Sequence, residues 1–274
     1  DYLIYVLLAT VCDVMPIRKL NRLIALNALK KFDINKNLAF NILLDLNNKK
    51  NKININDLGY LIGPILNAGG RLGKSSYATE LLSSDNFDIV NTKSNELIIL
   101  NNKRKEIENL ILNKIDYNKI EKENKDVVIY YNPNINEGLI GIIAARLKDF
   151  FNKPSIVITN SGDFLKGSAR SVYSYNIGHV IKNLIDRDVV SNGGGHNMAA
   201  GFTLKKNNLK KFKNYILKDF LDSGLTRNQT FLYDAEVSTL AFNQEFYENI
   251  RGLEPFGTGN PNPTFLFRDL KVIK

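Results

Sequence analysis

Between Val127 and Leu221 the apolar residues come in short runs that switch repeatedly between a strand-like and a helix-like period. This alternation constrains the fold more than any other feature of the chain. Val127 to Tyr131 reads as a strand, and Gly138 to Phe151 as a helix that is apolar on most sides early on and therefore buried. Ser155 to Thr159 reads as a second strand and Phe164 to Val172 as an extended segment. Ile177 to Ile185 is helical, Gly201 to Leu204 is a strand behind a glycine run, and Leu209 to Leu221 is an amphipathic helix. Helices interleaved with strands imply an α/β domain of about 100 residues.

The flanking segments follow different rules. Tyr2 to Val11 is a continuous apolar run that suits a buried strand or a buried helix, and periodicity does not choose between them. Pro16 precedes a helix with Ile17, Leu20, Leu23, Ile24 and Ala28 on one face. A helix is predicted over Leu38 to Leu46, and a third begins at Asp57 with Asn56 as its cap. Gly69-Gly70 interrupts that third segment, and Ser75 caps another helix running to about Leu82. Asp88 to about Ile115 reads as one long, polar helix with a narrow stripe of Leu97, Leu100, Ile107, Leu110 and Ile111, a pattern suited to bridging two domains. After Thr226 the chain turns strand-like again, at Phe231 to Val237 and Thr264 to Phe267, with Pro and Gly between. That is the expected start of a further β domain.

Composition sets outer limits. With 274 residues and 44% hydrophobic content, the chain holds one large or two ordinary domains and is not wholly disordered. A formal charge of +9 suits a polyanionic partner, either nucleic acid or an anionic membrane. Codon bias of an AT-rich genome gives the same excess of Lys and Asn, as Asn47 to Asn54 illustrates. The lone Cys12 excludes an intramolecular disulfide framework and a cysteine-cluster zinc site. Tyr2 to Cys12 is shorter than the roughly 18 residues of a spanning helix, and no signal peptide is visible. The chain opens at Asp1 inside an apolar segment without an initiator Met, which reads as a chain whose upstream part is missing.

Four local patterns carry chemistry. Gly193-Gly194-Gly195-His196 can turn tightly, present consecutive N–H groups as an anion nest, and place His196 at its mouth. The alternative is a glycine-rich turn with a surface histidine. Gly167-Ser168-Ala169-Arg170-Ser171 offers a hydroxyl, backbone N–H groups and a guanidinium to one phosphate, although Ser and Arg are also common on edge strands. Asn67-Ala68-Gly69-Gly70-Arg71 combines a glycine bend with one arginine, either at a cleft or at a helix C-terminus. Asp13 closes an apolar run, where a carboxylate serves either as a hard-metal ligand or as a helix cap. His179 reads as an ordinary packing or surface residue, and Lys103-Arg104-Lys105 as a solvated helix face or a contact to a nucleic-acid backbone.

Taken in order, these pieces resemble the RecJ exonucleases of the DHH phosphoesterase superfamily. Ala9-Thr10-Val11-Cys12-Asp13-Val14 looks like the family's fourth catalytic motif, and Asn67-Ala68-Gly69-Gly70-Arg71 like its Asn-Ala-x-Gly-Arg signature. Leu100-Asn101, Arg104 and Glu106-Ile107-Glu108 fit the inter-domain helix, and Glu137-Gly138-Leu139-Ile140-Gly141-Ile142 fits a characteristic helix start. Gly167 to Ser171 and Gly193 to Gly201 match the two signatures of the DHHA1 domain. Glu254-Pro255-Phe256-Gly257 with Asn260-Pro261 resembles the entry to an OB-fold domain. Cys12 stands where a small residue is more usual and Asn136 where the family often has His. The family's Asp-x-Asp and Asp-His-His metal motifs are absent, and the resemblance places them upstream.

The resemblance implies an α/β protein in four parts. Residues 1–87 would end a DHH catalytic domain, 88–118 would be a connecting helix, 119–225 a DHHA1 substrate-binding domain, and 226–274 the start of an OB-type β domain. It implies hydrolysis of single-stranded DNA from the 5′ end in repair and recombination, with two divalent ions, Mn²⁺ or Mg²⁺, of whose ligands only Asp13 is present. His196 would act at the reacting phosphate as the catalytic group. Arg71, Ser168, Arg170, Gly193, Gly194 and Gly195 would join it in binding substrate. The implied enzyme is monomeric and cytoplasmic, with single-stranded DNA as partner and a single-strand-binding protein or helicase beside it. A phosphoesterase acting on short oligonucleotides or cyclic dinucleotides, and a non-catalytic nucleic-acid-binding module, are the competing readings.

Overall fold

The structure is a computed structural model and describes residues 2–49, 52–123, 126–172, 174–225 and 232–271. The chain forms two compact units. The first comprises residues 1–69, 74–101 and 228–274, and the second residues 70–73 and 102–227.

In the first unit the opening apolar run is a helix, α1 (Leu3–Cys12), which buries Ile4, Leu7 and Leu8 at helical spacing. Its one inward hydroxyl, Thr10 Oγ1, donates to the Val6 carbonyl at 2.8 Å, so no buried polar group is stranded. α2 (Lys19–Lys31) packs against α1 through Ala25 and Ala28. The expected face is therefore corrected in part: Ala28 is buried, but Leu20 and Leu23 are 67% and 58% exposed, and Ala25 is buried in their place. Ile17, counted with that helix, lies ahead of it. It is buried, and its N–H donates to the Thr258 carbonyl at 2.7 Å.

α3 (Leu38–Leu46) is capped by Asn37, whose Oδ1 accepts from the Phe40 N–H at 3.1 Å. The next helix is capped by Asn54 rather than Asn56. Asn54 Oδ1 accepts from the Asp57 N–H and Asp57 Oδ2 accepts from the Asn54 N–H, both at 2.9 Å, a reciprocal capping box. A π-helical stretch, Asp57–Ile62, leads directly into α4 (Gly63–Arg71). Gly69-Gly70 does not interrupt this helix. A Cβ on Gly69 would lie 2.5 Å from the Lys74 carbonyl oxygen, so that glycine admits the returning chain.

α5 (Tyr77–Ser83) starts directly after Ser76, and the expected cap at Ser75 is not used. The long helix α6 (Phe87–Asn113) belongs to the first unit up to Asn101 and to the second from Asn102. Its apolar stripe is interrupted: Leu110 is 60% exposed, while Asn101, Arg104 and Glu108 are buried. At the C-terminal end β6 (Ala235–Glu236) and β7 (Phe265–Leu266) pair in parallel, and a short helix occupies Gln244–Arg251. That helix was not anticipated. Asn243 caps it through the Phe246 N–H. Phe231, where the strand was expected to start, lies outside the described residues.

The second unit contains α7 (Tyr117–Glu123), β1 (Val128–Tyr131), α8 (Ile140–Phe151), β2 (Ser155–Ser161), β3 (Phe164–Arg170), α9 (Ile177–Asp186), β4 (Asn192–His196), β5 (Ala199–Lys205) and α10 (Leu209–Asp222). The five strands form one sheet in the order β1-β2-β3-β5-β4, parallel between β1 and β2 and antiparallel elsewhere. α8 packs its Ile140, Ile143, Ala144 and Leu147 over Val128 and Val157 on one face. The opposite face carries Leu165, Ala169, Phe202 and Leu204 into a core with α9 and α10. Among the described residues no helix is long and apolar enough to cross a membrane.

Candidate functional site

The strand register sorts the site residues by face. Ser168 on β3 pairs with Gly201 on β5, which pairs with Gly194 on β4. One row further, Arg170 pairs with Ala199, which pairs with His196. Directly opposed residues share a face, and so do residues two apart along a strand. Ser168, Arg170, Gly194 and His196 therefore lie on the face that α8 covers over β2 and β3. Over β5 and β4 that face is open: a Cβ on Gly194 or Gly201 would meet nothing within 4 Å. The result is a shallow lane, floored by Gly194, Ala199 and Gly201, with Ser168 and Arg170 along one side and His196 on the other.

The other two glycines of the run serve packing. A Cβ on Gly193 would meet the Gly201 carbonyl oxygen at 2.7 Å, and one on Gly195 would meet the Ala199 carbonyl oxygen at 2.3 Å. This corrects the expectation of an anion nest. Gly193 to His196 is a fully exposed edge strand, and successive N–H groups of a strand point in opposite directions. The tight turn is the Asn197-Met198 pair that follows.

Arg71, from the end of α4, reaches the same neighbourhood. Its Nη1 donates to the Gly138 carbonyl at 2.9 Å, and a Cβ on Gly138 would lie 2.3 Å from the Arg71 carbonyl oxygen. Asn136 sets up this approach by accepting from the Gly138 N–H at 2.8 Å. Three residues on, Gly141 opens space for the β3 groups: a Cβ there would sit 3.1 Å from Arg170 Nη2 and 3.2 Å from Ser168 Oγ. Arg170 Nη1 donates to Ser168 Oγ at 3.2 Å and to the Ala169 carbonyl at 2.9 Å. Burial lowers the pKa of both Arg71 and Arg170. The charge of Arg104 lowers that of Arg71 further, against an opposing pull from Glu108, and the charge of Arg71 lowers that of Arg170. Guanidiniums stay charged in proteins, so the lowering marks like charges held close in poor solvation, a state that a bound anion relieves.

Arg104, Glu108 and Arg146 complete the cluster and were missed as functional candidates. Glu108 accepts from Arg104 Nη1 and from Arg146 Nε, each at 2.7 Å. The spacing of Arg104 and Glu108, one helical turn apart, is the signal that could have turned this pair inward from its expected solvated face. Nothing local marks Arg146. His179 donates its backbone N–H to the Asn176 cap at 3.0 Å, at the N-terminus of α9.

Asp13 is in the first unit, exposed at the C-terminal end of α1. The neighbouring Cys12 thiol is pushed up in pKa by burial and, secondarily, by the Asp13 charge. Among the described residues no group of three or more His, Cys, Asp or Glu side chains is placed to hold a metal ion. Hard divalent ions need several oxygen or imidazole ligands, so the described residues do not by themselves make a metal centre.

The sheet and its glycine lane define a class, the DHHA1 domain, whose family profile matches residues 124–221; residues 233–274 match the RecJ OB domain. The chain is 31% identical over 277 residues to the single-stranded-DNA-specific exonuclease RecJ of Salmonella typhimurium, across 95% of this chain and 47% of that protein. It is 30% identical over 273 residues to RecJ of Escherichia coli, again across 95% and 47%. The crystal structure of RecJ from Thermus thermophilus in complex with Mg²⁺ superposes with a TM-score of 0.82 at 22% identity, covering 96% of this chain and 41% of that one. The chain thus spans about half the length of these curated relatives, and over that span it is similar to RecJ.

Proposed function

We propose that this chain is the substrate-gripping part of a single-strand-specific DNA exonuclease that works from the 5′ end. The observation that carries the reading is the convergence of Arg71, Ser168 and Arg170 on the start of α8, beside a side-chain-free lane that ends at His196. Charge-assisted donors in fork geometry suit a terminal phosphate. A lane floored by glycine and alanine suits one extended strand, which a basic surface holds by its backbone. Arg71, Ser168 and Arg170 bind the 5′-terminal phosphate. Gly194, with Gly193 and Gly195 beneath it, lets the strand approach closely, and His196 donates to the phosphate undergoing attack. Asp13 is a ligand toward a divalent ion such as Mg²⁺ or Mn²⁺.

The proposed division is residues 1–87 as the end of a catalytic domain, 88–118 as a connecting helix, 119–225 as the gripping domain and 226–274 as the start of an OB domain. The RecJ OB match over residues 233–274 favours this reading over a phosphoesterase of short oligonucleotides or cyclic dinucleotides. The protein is proposed to act as a cytoplasmic monomer on single-stranded DNA, with a single-strand-binding protein or helicase as neighbour.

The test is binding of the 274-residue chain to labelled single strands bearing a 5′-phosphate or a 5′-hydroxyl, and to duplex, across a salt series. The expected result is a preference for the phosphorylated single strand, with affinity falling as salt rises. Equal affinity for both ends, or binding indifferent to salt, would overturn the reading.

A further inference from the structure

Glu108 makes none of the phosphate contacts proposed above, yet it is only 4% exposed and both of its oxygens are engaged. Oε2 accepts from Arg104 Nη1 and Oε1 from Arg146 Nε, both at 2.7 Å. Arg104 is on α6 and is itself 9% exposed. Arg146 is on α8, the helix whose Gly141 lies against Ser168 and Arg170 and whose lead-in residue Gly138 holds Arg71. One carboxylate thus ties α6 to the element on which the whole grip is assembled.

Glu108 bonds Arg104 and Arg146, the charges of Arg104 and Glu108 act on Arg71, and the charge of Arg71 acts in turn on Arg170. Buried like charges remain packed only when an opposite charge compensates them, and removing one partner of a buried pair leaves the other to rearrange. Arg71 is vulnerable, because its anchoring bond to Gly138 is to a neutral carbonyl and the charge of Arg104 acts on it.

We infer that Glu108 is a positioning residue for the 5′-phosphate grip: its carboxylate compensates Arg104 and ties α6 to α8, so that Arg71 and Arg170 stay aimed at one phosphate. The inference rests on the reading of Arg71, Ser168 and Arg170 as that grip. It makes a prediction of opposite sign to simple electrostatics. Glu108→Gln raises the net positive charge by one and should tighten binding to any DNA if charge alone mattered.

The test measures the ratio of affinities for 5′-phosphoryl and 5′-hydroxyl single strands by fluorescence anisotropy. It compares the 274-residue chain with Glu108→Gln, Glu108→Asp and Arg146→Gln, with folding monitored by thermal melts. The chain itself should favour the phosphorylated end by about tenfold or more, the worth of a charge-assisted contact. Glu108→Gln should bring that ratio near one while binding of the 5′-hydroxyl strand holds or tightens. Glu108→Asp keeps the charge but is one methylene shorter, so its ratio should be intermediate, as should that of Arg146→Gln, at a position whose side chain is 59% exposed. A wild-type ratio in Glu108→Gln, or an equal loss for both strands with the ratio preserved, overturns the inference. If Glu108→Gln does not fold, an unchanged ratio in Arg146→Gln overturns it instead. Absence of any end preference in the unmutated chain removes the function proposed above, and this inference with it.

Discussion

Adding one methyl group at adjacent glycines should have opposite consequences. At Gly195 a Cβ would lie 2.3 Å from the Ala199 carbonyl oxygen, 2.5 Å from Ala200 Cα and 2.6 Å from Ala200 Cβ. All three contacts belong to the paired strand β5 or its first side-chain atom, so none can swing aside. β4 cannot retreat either, because the Gly178 backbone of α9 packs directly against Gly195 and His196. Overpacking of this kind costs about 1–3 kcal/mol, and backbone contacts this short belong at the upper end. Replacing glycine in a strand recovers about 0.5–1 kcal/mol of chain entropy. Gly195→Ala should therefore destabilise by roughly 2 kcal/mol, whereas Gly194→Ala, with nothing within 4 Å of its Cβ, should keep only the gain. At roughly 2–4 °C per kcal/mol, thermal melts should show Gly195→Ala down by about 4–8 °C and Gly194→Ala up by about 1–4 °C. Binding should follow the reverse order. Gly194→Ala places its methyl in the lane and should weaken single-strand affinity, while Gly195→Ala, assayed well below its melting point, should bind nearly as before. Equal melting shifts, or the opposite ranking, would refute the assignment of alternating faces.

Arg170→Ala should weaken single-strand binding by about 1.5–3 kcal/mol and blunt the 5′-phosphate preference, whereas His196→Ala in the complete protein should lower turnover more than KM; steady-state kinetics on both end chemistries checks the split. Tyr175 donates to Asp219 Oδ2 at 2.8 Å, and burial first, then that partner, raises its phenol pKa above the ordinary value of about 10. Its stabilising share is therefore complete below pH about 10 and is lost as pH rises beyond it, because only the unfolded chain ionises there. Tyr175→Phe should remove about 1.5–3 kcal/mol at neutral pH and flatten that alkaline loss in denaturant melts.

Much of the second unit was legible because its elements are short and sharply bounded. The strand over residues 155–161 and the helices over residues 177–186 and 209–222 follow apolar periodicities that burial in the sheet core explains. The glycine run was misread for a reason that lies outside the run. Gly167 and Gly193 are small because the Phe202 side chain occupies the space where their Cβ atoms would sit, and Phe202 is on a different strand from either. The α2 face was legible only in part: Ile17 and Ala28 are buried as expected, whereas Leu20 and Leu23 are exposed and Ala25, outside the expected face, is buried. Arg71, Ser168 and Arg170 were each recognisable as a basic or hydroxyl group beside glycine. Their common neighbourhood was implied only by the family resemblance and not by the local patterns, since it is made by Gly138 and Gly141, which carry no side chain to signal it.

The register also bears on how labour divides across the lane. Arg170 and His196 occupy the same row but stand two strands apart, roughly 10 Å at the backbone, with only Ala199 between them. Arg170 is turned toward Ser168 and the start of α8, away from that gap. On the proposed reading, a phosphate bonded to Arg170 and Ser168 would lie on the α8 side of the lane, and the group that His196 meets would be a different one further along the strand. On the reading proposed above, a grip at one end of a fixed span and the His196 side chain at the other would act as a ruler: the end would be held, and the bond presented to His196 would be set by the spacing across the strands rather than by the base.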